Sequence, residues 1–390
     1  MITLAKNNGT NVSSSALRRE DATSHKGTPV KVSVIIPVYN AEDLVGETLQ
    51  SIRRQTLQDI EIICINDASS DSSLDVLYEH LKEDPRLVII DNPVNSGTGT
   101  TINLGIDLAN GSYVQIVGND DKLAPDALEK LYNLCESERL DFCQYAVQVF
   151  ADDPSDAASA KRKADQERYL RVENSYPIAP GTDLLRLLVA NGEYRMHNGA
   201  QIVRKQLLDH HGIRNIEGVH HEDMYYTYRI LLAAKRATLI SDPFYLYRIR
   251  YGSLESAKLS RTHTPEEFSA MLVSAAAMMD ATPEELALSP GFSSVIEQEI
   301  YRYFDMAAKR FATLPSEKRS EVKARTKTEQ SLLHVVELYA EERERGLSNL
   351  EKTKVSADER LQKLKNSRSY RLGHALLAGP RRVKRLFKKR

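Results

Sequence analysis

The chain has 390 residues, 41% of them apolar and 27% charged, which allows an ample core in two or three structural units and excludes a fibrous or wholly disordered chain. Its formal charge of −1 hides an asymmetry: residues 360–390 carry 12 Lys or Arg and no acid, leaving 41 basic against 54 acidic side chains, or −13, in the rest. Cys64, Cys135 and Cys143 sit singly inside apolar runs, which argues against a disulfide framework or a structural zinc site. The first 30 residues are polar, and no stretch reaches the ~18 apolar residues of a spanning helix. The expectation is a cytoplasmic chain, or one that lies on a membrane without crossing it.

Residues 1–30 lack periodicity and are expected to be disordered. A regular alternation then begins. "KVSVIIPVYN" (31–40), "IEIICIND" (60–67), "RLVIID" (86–91), "YVQIVG" (113–118) and "LDFCQYAVQVF" (140–150) are buried strands, since they are continuously apolar rather than alternating. Between them, 42–55, 74–83, 100–110 and 124–137 have helical spacing, the last with Pro125 at its start. Such short β-α repeats imply a mostly parallel, Rossmann-like α/β sheet flanked by helices. After a charged excursion at 151–167, helices are expected over 183–190, 204–210 and 222–234, and strands over 199–204, 237–242 and 245–250. Residues 256–326 form a helical extension by composition. Residues 327–368 are a long amphipathic helix or a weak coiled coil, with a homo-oligomer through 333–364 as one open consequence.

In a doubly wound sheet, ligands bind beyond the carboxyl ends of the strands, so the residues just past each strand carry the information. These are Pro37, Tyr39 and Asn40; Asp67; Asn95 and Gly97; and Asn119, Asp120 and Asp121. Asp67 comes directly off an apolar run, ahead of the turn residues. Adjacent Asp120 and Asp121 suit a hard divalent cation, Mn²⁺ or Mg²⁺, completed by diphosphate oxygens. The spacing equally allows a turn at Asp120 and a helix cap at Asp121. The chain has no GxxxxGK[ST] run, and Gly97 and Gly99 fall short of a GxGxxG after a strand, which disfavours P-loop and dehydrogenase chemistry.

"VSVIIPVYNAEDLVGETLQSIRRQTLQDIEIICINDASSD" followed by "NSGTGTTINLGIDLANGSYVQIVGNDD" resembles the nucleotide-binding half of a GT-A glycosyltransferase of family two, of the bacterial cell-surface polysaccharide type. "MHNGAQIVRKQLLDHHGIRNIEGVHHEDMYYTYRI" and "YLYRIRYGS" resemble its acceptor half. The likeness covers 31–255, with 31–150 as nucleotide-binding half and 151–255 as acceptor half. It implies that the segment from Pro37 to Asn40 lines the nucleotide pocket, that Asp67 contacts the base, and that Asn119-Asp120-Asp121 binds metal and diphosphate. It also implies that Glu222-Asp223 is the catalytic-base motif, with Asp223 the base, and that His197 lines the acceptor pocket. The family commonly has Asp at position 118, where this chain has Gly118, and Arg where it has Ile102. Arg248 and Arg250 share one face of a strand and could meet phosphate; a solvated strand face is the alternative.

The basic tail, 369–390, places Val383, Leu386 and Phe387 on one helical face amid cations, a pattern that seeks an anionic membrane surface. A body at −13 without an aromatic-basic platform disfavours nucleic acid. The sequence reads as an inverting glycosyltransferase that moves a sugar from a nucleotide diphosphate, UDP by expectation, to a saccharide or lipid-linked saccharide at the inner face of the cell membrane. A non-catalytic sugar-nucleotide-binding module and a membrane-associated scaffold are the alternatives.

Overall fold

The computed structural model describes residues 15–18, 29–152, 157–170, 172–219, 222–249 and 265–283, with short pieces between 286 and 337. Two compact units result: residues 1–218 with 222–260, and residues 219–221 with 261–390.

In the first unit the apolar runs become β2 (Val32–Val38), β3 (Ile60–Asn66), β4 (Leu87–Asp91) and β5 (Tyr113–Ile116), paired in parallel in the order β4-β3-β2-β5. All seven residues of β3 are buried, because both faces are covered. On one face Val34, Ile36, Ile62 and Ile89 pack with Val45, Leu49 and Ile52 of α1 (Val45–Arg53), Leu77 of α2 (Ser73–Glu83) and Leu128 and Leu131 of α4 (Ala127–Ser137). On the other face lies α3 (Thr98–Leu108). There Gly105 packs so closely that a Cβ would fall 2.4 Å from a methyl of Ile35. Each such aliphatic side chain contributes roughly 1.5–3 kcal/mol by leaving water.

Beyond β5 the sheet changes direction. β7 (Phe142–Ala151) does not lie beside β5, because β8 (Gln201–Arg204) is inserted between them and runs antiparallel to both. β9 (Ala237–Ile249) pairs parallel with β7, and the two-residue β6 (Lys122–Leu123) pairs antiparallel with β9. The nine-stranded sheet therefore joins the parallel run β4-β3-β2-β5 to a mixed half. Strand direction is invisible to a local apolar pattern, since a strand covered on both faces reads the same either way.

Three expectations are corrected. Within the N-terminal segment expected to be disordered, β1 (Ser15–Arg18) pairs with the free edge of β4, a backbone interaction that leaves no periodicity in sequence. The strands expected at 237–242 and 245–250 are one strand, whose pairing with β7 shifts register near Pro243. The charged excursion contains α5 (Ala157–Leu170). The remaining helices of the unit are α6 (Gly181–Ala190), α7 (Lys205–His210) and α8 (Glu222–Ala233).

The second unit contains α9 (Pro265–Ala281), α10 (Phe292–Val295) and α11 (Ser316–Arg319). Its ring contact is Phe268 on Phe311, with centroids 4.8 Å apart. Residues 338–390, including most of the expected coiled coil and the whole basic tail, lie outside the described residues. Among the described residues no helix is long and apolar enough to cross a membrane.

Candidate active site

The loops leaving β2, β3, β4 and β5 meet at one edge of the sheet and are tied together by side chains. After β2, Tyr39 is 46% exposed and Asn40 takes a left-handed φ of 47°, which an asparagine tolerates. The Asn40 backbone N–H donates to Ser69 Oγ at 3.0 Å, and Asn40 Oδ1 accepts from the Ser70 backbone at 2.8 Å. Ser73 Oγ accepts from the Ala41 backbone at 2.7 Å, while Asp71 takes both the Ser73 N–H and hydroxyl. Asp71 is thus a turn-forming residue at the head of α2.

Asp67, only 3% exposed, organises the β4–α3 connection. Its Oδ1 accepts from Asn92 Nδ2 (3.1 Å), the Ser96 N–H (2.9 Å) and Ser96 Oγ (2.8 Å), and its Oδ2 accepts from the Gly97 N–H (2.8 Å). Burial alone would raise its pKa; the bonds from Ser96, Asn92 and Gly97 outweigh it and hold the carboxyl below the usual range. Gly97 sits at φ 84°, a conformation that favours glycine, which lets its N–H reach Asp67. Oδ2 keeps one lone pair for a ligand, and Asn95 is exposed in the β4–α3 connection.

The acidic loop after β5 is held by two distant elements. Thr48 Oγ1 on α1 donates to the Asn119 carbonyl at 3.0 Å. Tyr245 on β9 accepts from the Gly118 N–H at 3.0 Å and donates to Asp121 Oδ2 at 2.7 Å. Arg248 on the same strand donates its backbone N–H to Asp121 Oδ1 (2.9 Å) and its Nε to the Asp120 carbonyl (2.7 Å). Asp121 is 5% exposed, and burial first, then the Asp120 charge, push its pKa up to about 7. Asp121 does not cap the following helix: the residue at the cap of α4 is Asp126.

A divalent cation suits this arrangement. A Cβ built on Gly118 would lie 2.7 Å from Asp121 Oδ2 and 3.3 Å from Asp120 Oδ1, so both carboxylates converge on the space over that glycine. Hard oxygen donors that disfavour each other's charge are what Mg²⁺ or Mn²⁺ binds. No group of three His, Cys, Asp or Glu that could hold a metal occurs among the described residues, so ligand oxygens or water would complete the coordination. The acid common at position 118 in the family would collide with the Asp121 carboxylate in this chain, and Ile102 is buried in α3.

His197 lies beside this group. Its ring centroid is 4.9 Å from Tyr245 and 5.7 Å from Tyr247, and its Nδ1 accepts from the Gly199 and Ala200 N–H groups at 3.1 Å. Burial lowers its pKa to about 4, so the ring is neutral at pH 7 and carries its proton on Nε2. Asp223 is half-buried in the first turn of α8, a helix that Thr227 ties to Gln201 of β8 at 3.2 Å. The side chains of Glu222 and Arg250 lie outside the described residues. Arg248 is not on a solvated face: its side chain is 4% exposed and pairs with Glu47 (2.8 Å) and Asp152.

Tyr245, Thr48, Glu47 and Asp152 did not stand out in the sequence. Glu47 and Arg248 are 201 residues apart, and no local pattern links an acid in a first helical turn to an arginine on a late strand. The alternation Tyr245, Tyr247 beside Arg248 was the one available signal.

Residues 33–211 match the model of glycosyl transferase family 2. EpsH of Bacillus subtilis is 29% identical over 231 residues, 57% of this chain and 62% of EpsH. The poly(ribitol-phosphate) beta-glucosyltransferase of Bacillus spizizenii is 30% identical over 226 residues, 57% of this chain and 32% of that protein. The chain therefore spans less than two thirds of either relative. Among solved structures, S. aureus TarS 1–349 in complex with UDP-GlcNAc superposes with a TM-score of 0.55 at 19% identity, covering 84% of this chain and 93% of that one; it shares the fold. Residues 33–211 are thus similar to glycosyl transferase family 2, and the chain shares the fold of the TarS structure.

Proposed function

We propose that residues 31–255 transfer a sugar, with inversion, from a nucleoside diphosphate donor to a saccharide or lipid-linked saccharide hydroxyl. The observation that carries this reading is the convergence of Asp120 and Asp121 over Gly118, at the same sheet edge as the Asp67 loop. Tyr39 offers an exposed ring on which a base can stack, and Asp67 Oδ2 one remaining acceptor position. Support for UDP as the nucleotide comes from TarS, solved with UDP-GlcNAc and with UDP.

In the proposed displacement Asp223 takes the proton from the acceptor hydroxyl. The acceptor oxygen bonds to the anomeric carbon as the carbon–oxygen bond to the diphosphate breaks. Asp120 and Asp121 would hold Mn²⁺ or Mg²⁺, and the ion would supply positive charge against the diphosphate as it departs. His197, with its Nε2–H, lines the acceptor side. The basic tail contributes contact with anionic lipid, and residues 333–364 self-association.

Calorimetric titration of the purified chain with UDP, GDP, CDP and ADP, with and without Mn²⁺, tests the donor half. Metal-dependent binding of one of them is expected. Asp223→Asn should leave that binding intact and lower transfer by at least about 10²-fold, the usual worth of a positioned base. Near-normal turnover in a folded Asp223→Asn protein removes Asp223 from the mechanism.

A further inference from the structure

The acidic loop could not hold its shape unaided: two neighbouring carboxylates repel, and one of them is buried. What fixes it is a network centred on Arg248, in which every guanidinium nitrogen is committed. Nε donates to the Asp120 carbonyl at 2.7 Å, Nη2 to Glu47 at 2.8 Å and Nη1 to Asp152. The guanidinium carbon lies 4.9 Å from the centroid of the Phe150 ring. Glu47 is in turn held by Lys122, the residue after the acidic pair, at 2.5 Å, and these two cations hold its pKa down at about 2. One side chain thus joins α1, the end of β7, β9 and the acidic loop.

The charges in this cluster are unequal. Among the described residues, Glu47, Asp120, Asp121 and Asp152 are four carboxylates against the two cations Lys122 and Arg248, an excess of two negative charges when all are ionised. One divalent cation matches that excess. Arg248 cannot turn to a phosphate without abandoning Glu47 and Asp152, which would take the arginine partner from both carboxylates and leave Glu47 to Lys122 alone.

We propose that Arg248 is a positioning residue: from β9 it sets the aim of Asp120 and Asp121 toward the metal and diphosphate, and it does not itself contact the donor. This inference rests on the functional reading above. It departs from the phosphate contact that the sequence suggested for Arg248. An arginine is needed because one planar fork must reach a carbonyl and two carboxylates at once, which an ammonium cannot do.

The test uses the full chain, with Mn²⁺ alone and with UDP in the presence and absence of Mn²⁺, read by calorimetry. Arg248→Lys is expected to weaken Mn²⁺-dependent binding by about 10–100-fold, as loss of an outer support of a metal site does. Metal-free UDP binding should stay within about 2-fold, because among the described residues the side-chain hydrogen bonds of Arg248 go to Glu47, Asp120 and Asp152 and its backbone N–H to Asp121, not to the Asp67 and Asn40 loops. Glu47→Gln, half-exposed and therefore safe for folding, should give the same selective loss at roughly 3–10-fold. An equal loss with and without metal would overturn the proposal in favour of direct phosphate contact. Unchanged binding in both variants, or a lower melting temperature with no selective loss, would overturn it in favour of a purely structural role. A wild-type chain that binds UDP tightly only without Mn²⁺ also overturns it. If the wild type binds no nucleotide under either condition, the functional reading fails and this inference with it; that result differs from every variant-specific one.

Discussion

Asp67 and Asp121 stand at the same edge of one sheet, and both are almost wholly buried, yet their carboxyls are pushed in opposite directions. Asp67 lies below the usual range; Asp121 is raised to about 7. Burial opposes ionisation in both, more strongly at Asp121, and the rest of the difference lies in their neighbours. Asp67 collects four hydrogen bonds, two of them from backbone N–H groups, and none of those donors is charged. Asp121 receives two and has a second carboxylate beside it. One site is electrostatically complete and shapes a loop. The other is incomplete and has room for a cation. Desolvation alone therefore does not identify a functional carboxylate; the unbalanced one is the informative one.

The comparison breaks most severely at Asp67. Asp67→Ala leaves the Asn92 amide, the Ser96 hydroxyl and two backbone N–H groups without their acceptor. The expected cost is about 3 kcal/mol or more, measured as a shift of the denaturant midpoint of the first unit. Nucleotide binding should disappear with the loop. A loss below about 1 kcal/mol would mean that water replaces the carboxylate easily and that the loop is not built on it.

Asp121 should show itself through pH. Its folded pKa is raised above the unfolded value of about 3.9, so its contribution to stability is fully present below pH 4 and is lost as pH rises through about 7. Asp67 has the opposite sign: its stabilisation is present above pH 4 and is lost as pH falls through its lowered pKa. The informative quantity is the difference between wild type and Asp121→Asn without metal. The asparagine variant should gain on the order of 1–3 kcal/mol relative to wild type between pH 4 and pH 8. Mn²⁺ should shrink that gain by favouring the ionised pair. A flat difference would mean that Arg248 and Tyr245 already satisfy Asp121.

The parts of this arrangement differ in how readily they could be read from the chain. The β-α alternation and the strand-end acids were legible because apolar runs and turn residues are local signals, as with "YVQIVGNDD". Strand direction beyond β5 was not, since a strand buried on both faces carries no mark of its partner's polarity. The supports of the acidic loop were hidden for another reason. Thr48, Tyr245 and Arg248 are ordinary residues whose meaning comes from contacts 71 to 128 residues away. Asp67 could be singled out as an acid directly off a strand, but not the four donors that complete it. The departure at Gly118 was visible, but its steric reason, a carboxylate 2.7 Å from where a Cβ would be, exists only in three dimensions.

That glycine sharpens the contrast at moderate cost. Gly118→Ala should push the Asp121 carboxylate off Tyr245, destabilising the chain by about 1–3 kcal/mol and lowering Mn²⁺-dependent nucleotide binding while leaving metal-free binding alone. Equal losses with and without metal would place the damage outside the acidic loop.

The smallest change lies beside Asp67. Ala68 follows it at φ 58°, a left-handed conformation that costs an L side chain roughly 1–2 kcal/mol. Glycine removes that cost but gives the unfolded chain more freedom, so Ala68→Gly should stabilise by only about 0.5–1 kcal/mol. Neither the carboxylate nor its four donors are touched, and nucleotide binding should not change. The position thereby separates strain in the backbone from order in the loop. If stability rises and binding holds, the Asp67 loop is fixed by its hydrogen bonds alone. If Ala68→Gly loosens binding, the strained alanine is itself part of what holds the β3 turn in place, and the completeness of Asp67 depends on backbone stiffness as well as on its donors.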